Sequence, residues 1–278
     1  MTSSSRSDAS GGRAIDLLIC DVDGTLVDSE KQVAPATARA VRRLRAAGIG
    51  FTIISARPTR GLRYPVEVLE IDQPTAAFNG GTIAGADGTI IQAHQLANEV
   101  ADETLALLCR HDVEIWLFAD DEWRVLDPDG PFVPRERRAV GFEPVVVPSF
   151  GQARRVDKIV AASDDHAMLQ RMEGSVGAAL EDRARAVRSQ PYYLDVTALR
   201  ADKGHGVAAL AEAAGIPLER VAVIGDGHND VAMFRRAGLS IAMGQAAEDV
   251  RAAADHVTAS NDEDGVAEAI ERFILASH

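Results

Sequence analysis

Two aspartates one residue apart, Asp21 and Asp23, stand where an apolar run ends; the stretch Ile15 to Asp28 reads IDLLICDVDGTLVD. Like charges this close raise each other's proton affinity or recruit a cation, so the pair is costly unless a metal or a reaction uses it. With a hard divalent ion, one carboxylate is suited to ligate and attack while its neighbour gives and takes protons. An ordinary acidic turn is the competing account, because Asp-Gly is a common turn former. The tetrad alone does not separate the two.

Other polar residues close other apolar runs. Gly50 to Ser55 (GFTIIS) ends in Ser55 followed by Ala56-Arg57-Pro58, and Thr75 to Asn79 (TAAFN) ends in Asn79-Gly80-Gly81. Near the other end of the chain, Val221 to Ile224 (VAVI) runs into Gly225-Asp226-Gly227-His228-Asn229-Asp230, and Asp202-Lys203-Gly204 opens an apolar helical pattern. Taken singly, a Ser at a strand end is a cap and a Lys at a helix start is a solvated side chain. Four strand ends carrying such residues, with a lysine nearby, are a candidate site.

The elements that must position them follow from periodicity. Pro35 to Ala47 places Ala38, Val41 and Leu44 at helical spacing, with Pro35 suited to the first helical position and Gly48 to the stop. Lying between two apolar strands, it makes a βαβ unit whose strands run parallel and whose carboxyl ends share one edge. Ligands of open parallel sheets bind outside that edge. Thr59 to Leu69 reads as helical with a break expected at Pro65.

From about Ile83 the pattern changes to short alternating runs. Asp87-Gly88 marks a hairpin, Asn98 to Arg110 a helix, and Val113–Phe118 with Trp123–Leu126 a second hairpin. Asp127 to Pro134 reads as a loop. Expected strands over 145–147 and 156–162, a helix over 164–180 and a strand pair over 184–189 and 192–197 complete a module of helices on antiparallel strands. After it the parallel pattern returns, with strands at 221–224 and 239–243 between helices.

The expected fold class is α/β: a doubly wound, mostly parallel Rossmann-like sheet with an inserted α+β cap. The expected boundaries are a disordered tail over 1–13, a core of 14–83 and 195–278, and a cap of 84–194.

Composition narrows the function classes. The 278 residues are 46% hydrophobic and 26% charged, with a formal net charge of −13. A broad nucleic-acid or anionic-membrane surface needs an excess of Lys and Arg that is missing here. A small anionic substrate is compatible if a metal and a few basic side chains reverse the local field. Two distant cysteines, Cys20 and Cys109, do not make a disulfide framework and suit a reducing cytoplasm. Residues 1–13 are Ser/Gly-rich without an apolar stretch, and no run approaches the roughly 18 apolar residues of a membrane span.

DVDGTLVD paired with GDGHND about two hundred residues later, with Ser55 and Lys203 between them, resembles the haloacid dehalogenase-like phosphatases, in particular the Cof-like sugar-phosphatase branch with a large α+β cap. The likeness runs from Asp16 onward. It implies a Mg2+-dependent phosphatase acting on a small phosphorylated metabolite, most simply a sugar phosphate, with a monomeric or homodimeric assembly.

The same resemblance implies roles. Asp21 is the expected nucleophile and Asp23 the acid and base; Ser55 and Lys203 are expected at the phosphoryl group. Asp21, Asp226, Asp230 and the Asp23 carbonyl are the expected metal site. Arg57, Asn79, Gly80 and Asn229 match places where relatives meet substrate, Asn229 and Asp230 also supporting Lys203. Ala56 stands where many relatives carry Gly. A phosphomutase of the phosphomannomutase type and a non-catalytic metabolite-binding protein are the alternatives on the same fold.

The cap yields less. Trp116, Trp123, Tyr192 and Tyr193 are aromatic candidates for a pocket or a core; alternation puts Tyr193 with Asp195 on one face and Tyr192, Leu194 and Val196 on the other, the second set being the expected core face and Tyr193 a contact candidate. Arg135, Arg137, Arg138, Arg154 and Arg155 read as solvated surface.

Overall fold

The computed structural model describes residues 14–152 and 154–277, so the expected tail over 1–13 lies outside the described residues. Two sheets organise the chain. The strands in chain order are β1 Leu17–Asp21, β2 Gly50–Ile54, β3 Thr75–Ala77, β4 Thr82–Ala84, β5 Ile90–Ala93, β6 Glu114–Ala119, β7 Glu122–Val125, β8 Val145–Val146, β9 Val156–Ala162, β10 Arg185–Gln190, β11 Tyr193–Thr197, β12 Val221–Gly225, β13 Leu239–Ala242 and β14 His256–Val257.

The larger sheet has the order β14-β13-β12-β1-β2-β3-β4-β5. It is parallel from β14 to β3 and antiparallel across β4 and β5. β1 reads as a continuous apolar run because both its faces are covered: Leu18 and Cys20 join one core cluster, Leu17 and Ile19 another. From β1 the chain builds outward through β2 and β3, then returns after the cap to build β12, β13 and β14 on the other side. β1 and β12 therefore meet at the topological switch point, where such sheets bind ligands.

The smaller sheet has the order β10-β11-β9-β6-β7-β8 and is antiparallel except for the β7–β8 pair. Helices Asn98–Leu108 and His166–Leu180 cover one face, packing on Leu117, Ile159, Leu194 and Val196. The other face, with Trp116, Phe118, Trp123, Val160 and Tyr193, belongs to a cluster continuous with the larger sheet's core. One alternation thus divides the cap strands between an internal core and an interface.

Two expected boundaries shift. The hairpin at Asp87-Gly88 does not open the cap: β4 and β5 extend the larger sheet, so the change to alternating sequence marks an antiparallel edge of the core. At the far end, Asp195 to Thr197 pair with β9 and belong to the cap sheet rather than the core. Leu96, bridged to Val156, already lies with the cap.

The stretch Asp127 to Pro134 is not all loop, because a helix runs from Val133 to Val140 with Pro134 in its first turn and Gly141 at φ 78° ending it. Pro65 likewise sits early in helix Arg63–Val68, where it costs no hydrogen bond, so the expected break falls before it. Cys20 is buried, Cys109 is exposed, and both are free. No helix among the described residues is long and apolar enough to cross a membrane.

Candidate active site

Asp21 is the last residue of β1 and 4% exposed, so its carboxylate leaves the sheet already stripped of most water. Burial pushes it well above the usual carboxylate range; Lys203 opposes that, while Asp230 and Asp226 add to it. Lys203 opens helix Lys203–Ala214 and places Nζ 2.5 Å from Asp21 Oδ1 and 2.5 Å from Asp230 Oδ1. Burial works against this ammonium, but the two carboxylates outweigh it and hold it charged.

Asp226 and Asp230 come from the turn after β12. Asp230 spends its second oxygen on the backbone N–H groups of Asp226 and Gly227, both at 2.8 Å, which fixes the turn. Thr25 donates to Asp226 Oδ1 at 2.9 Å, tying this turn to the one after β1. Burial and then the neighbouring Asp230 raise Asp226 to about 6. Gly24 makes the approach possible: it has φ 83°, and a Cβ there would run into the Asp226 carboxylate.

Asp21, Asp226 and Asp230 each place an oxygen within 4.8 Å of the others. Three acids against one ammonium leave an excess of buried negative charge that a divalent cation would neutralise, and the donors are hard oxygens, so the set fits Mg2+.

Asp23 faces differently. Its carboxylate takes a two-point contact from Arg57, Nε at 2.6 Å and a terminal nitrogen at 2.7 Å, and a third from Lys31 at 2.8 Å. Burial alone would raise it, but the Arg57 and Lys31 contacts prevail and bring it down to about 2. Ser55 is buried at the end of β2, and its hydroxyl accepts from Arg57 N at 3.1 Å. Its carbonyl accepts from Asn79 N at 2.7 Å. Asn79 sits at φ 57° and accepts at Oδ1 from Asn229 at 3.1 Å, so these two expected substrate contacts meet each other.

Gly80, at φ 89°, has a packing reason of its own, since a Cβ there would meet the Gly206 backbone. The helix start offers less to a ligand than its position suggests, because Asp202 already accepts from Gly204 N and His205 N. Lys31 and Thr25 carry no assignment in the sequence reading. Both lie within eight residues of Asp23 in one connected turn, which is the signal that points to them.

The cap closes over these strand ends. Phe78, at φ 50°, sets its ring 6.0 Å from that of Phe118, and Lys158 donates from the cap to the carbonyl of Ala56 at 3.3 Å.

A family model for haloacid dehalogenase-like hydrolases matches residues 18–270. The chain belongs to that family.

Among curated relatives, the chain is 28% identical over 92% of its length to the chloroplastic endoribonuclease YBEY of Arabidopsis thaliana, but spans about half of that protein, 46%. It is 26% identical to the 5-amino-6-(5-phospho-D-ribitylamino)uracil phosphatase YcsE of Bacillus subtilis, covering 94% of this chain and 96% of that one. Among solved structures, the subclass IIB sugar phosphatase BT4131 superposes with a TM-score of 0.82 at 27% identity, covering 93% of this chain and 98% of that one. The capped fold is that of this haloacid dehalogenase-like subclass.

Proposed function

We propose that the chain is a metal-assisted phosphatase that hydrolyses a small phosphorylated metabolite through an aspartyl-phosphate. The observation that carries this reading is the buried Asp21–Lys203 contact of 2.5 Å at the switch point, with Asp226 and Asp230 beside it. A carboxylate held at the end of a rigid central strand is positioned for in-line attack, and a fixed ammonium beside it is positioned for the charge that spreads over the equatorial phosphoryl oxygens.

In the first step an Asp21 oxygen bonds to phosphorus while the bond from phosphorus to the leaving oxygen breaks. Asp23 supplies the proton that this oxygen needs. In the second, Asp23 takes a proton from water as that water displaces the Asp21 oxygen, releasing phosphate. Because Arg57 and Lys31 hold Asp23 at about 2, proton donation requires entering substrate to part that contact. Ser55 lies where its hydroxyl can turn from Arg57 N to a phosphoryl oxygen.

Asp21, Asp226 and the Asp23 carbonyl would hold Mg2+, with Asp230 fixing the turn and Lys203. When bound, the ion relieves the repulsion between Asp21 and a phosphate dianion. Arg57, which contacts Asp23, and Asn79 and Asn229, which contact each other, are assigned to substrate contact. The YcsE and BT4131 names support a small phosphorylated metabolite with a sugar or polyol part.

The test is phosphate release from a panel of sugar phosphates, nucleotides, phosphorylated cofactors and p-nitrophenyl phosphate, with Mg2+ and with chelator. Release that requires the metal and disappears in Asp21→Asn is expected. Isomerised sugar phosphate with little free phosphate would replace the reading by a phosphomutase, and binding without turnover by a metabolite-binding protein.

A further inference from the structure

Four strands form the edges of the two sheets, and three of them are guarded. β14 and β8 are two residues long, and β10 carries Arg185 and Arg188. Short length and charge are devices that keep an edge strand from pairing with another chain. β5 has neither. Its sequence Ile-Ile-Gln-Ala holds no charge and no proline, and every residue of it is exposed, Ile90 by 50% and Ile91 by 57%. The register with β4 steps over Ile91, so this residue is unpaired there.

The strand is fixed at both ends. At the hairpin, Gly85 N donates to Thr89 O at 2.8 Å, and the Asp87 carboxylate accepts from Thr89 N and Thr89 Oγ1, both at 2.9 Å. At the other end His94 N donates to Gly81 O at 2.7 Å. A template already held in place loses little conformational freedom when a second strand joins it.

The two ends differ in charge. Asp87 is exposed, and its contacts with Thr89 hold its carboxyl below the usual range, so the hairpin end is anionic. The other end is cationic: Arg200 and His205 are exposed and near enough that their fields, after burial, lower the proton affinity of His94.

We propose that β5 is the interface of a homodimer, in which two copies of the chain pair their β5 strands antiparallel about a two-fold axis and join their larger sheets into one. A two-fold interface needs a patch complementary to itself. Here antiparallel pairing turns Asp87 of each copy toward the His94 and Arg200 end of the other and lays the isoleucines across one another, whereas parallel pairing would set like ends together. The formal charge of −13 on each chain opposes a broad contact, and a single edge strand keeps most of that charge apart. β1 lies four strands from β5 in the sheet, about 19 Å at the usual spacing, so the Asp21 end of β1 stays clear of the partner.

The experiment is sedimentation velocity of the full chain from low to high micromolar concentration, with the urea midpoint of each variant measured alongside. The unaltered chain is expected to reach twice its own mass. Ile91→Lys puts a cation in the uncharged stretch of both copies and should weaken dimerisation by about tenfold or more with the urea midpoint of the monomer unchanged, because the side chain it replaces is exposed. Arg200→Glu sets an acid against Asp87 and should weaken the dimer as well. Adding Asp87→Lys to Arg200→Glu restores opposite charges and should recover it; Asp87→Lys alone, which also loses the bonds to Thr89, separates a loosened hairpin from the change of charge.

A monomer at every concentration overturns the interface. So does a dimer that survives Ile91→Lys, which would place the contact elsewhere, and so does a charge-exchanged double variant that dimerises no better than either single one. Phosphate release is a separate reading, and its presence or absence leaves this result unmoved.

Discussion

Two buried charge clusters face each other across the junction of core and cap, and they are built on opposite terms. In the core, Lys203 joins Asp21 and Asp230, Asp230 closes on two backbone N–H groups, and Thr25 holds Asp226. In the cap, Lys158 and Asp195 are 3.5 Å apart, and Tyr193 and Asp195 each keep an atom with no partner. The first cluster holds its ammonium and carboxylates in place through one another and the backbone. The second leaves the Tyr193 hydroxyl and one Asp195 oxygen unsatisfied.

The comparison breaks first at Asp21. Asp21→Asn is expected to lower turnover by at least about 10^4-fold while circular dichroism and the urea midpoint stay close to wild type. Retained activity would remove the core cluster from the chemistry.

Lys203→Met comes next. It leaves Asp21 and Asp230 buried without their cation, and a stability loss of about 3–5 kcal/mol is expected by urea denaturation, together with loss of turnover. A neutral result would mean that the core cluster is no more tightly built than the cap cluster.

Glu136 sharpens the contrast through pH. Burial holds it at about 7 in the folded chain, against an ordinary value near 4.5. Because the folded value lies above the unfolded one, its contribution to stability is complete below about pH 4.5 and is lost as pH rises through 7. The total is roughly 3 kcal/mol at most. Urea midpoints measured from pH 4.5 to 8 should therefore fall more steeply for the wild type than for Glu136→Gln; parallel curves would show that Glu136 is not buried against an acidic neighbour.

The smallest effect is expected at Lys31. Its contact with Asp23 is 2.8 Å long, but the lysine is 41% exposed. Lys31→Met should change stability by about 1 kcal/mol or less. A larger loss would mean that Lys31, and not Arg57 alone, fixes Asp23.

Local signals explain what was readable in advance. Asp21, Asp226 and Asp230 end apolar runs, and an acid after a buried strand is placed by the strand itself, so their meeting at the β1–β12 edge follows from the parallel βαβ pattern. The boundaries of the cap were harder, because alternating sequence is the same in an antiparallel core edge, β4 and β5, as in a cap strand. Helix Val133–Val140 was hidden behind the turn residues Asp127 to Pro134, and with it went Glu136.

By itself the sequence determined the fold class, the order of the strand-end acids and the family. The first two depend on periodicity and on spacing along the chain, the family on the likeness of its motifs. Which face of the cap meets the core was decided by tertiary packing. Alternation divides β11 into two sets, and the more apolar one, with Leu194 and Val196, is the expected core face and the one the helices cover; what alternation does not give is that the Tyr193 and Asp195 set meets the larger sheet rather than solvent. Only the packing of cap on core buries the Tyr193 face, leaving the Tyr193 hydroxyl and one Asp195 oxygen without a hydrogen-bond partner while the other Asp195 oxygen meets Lys158.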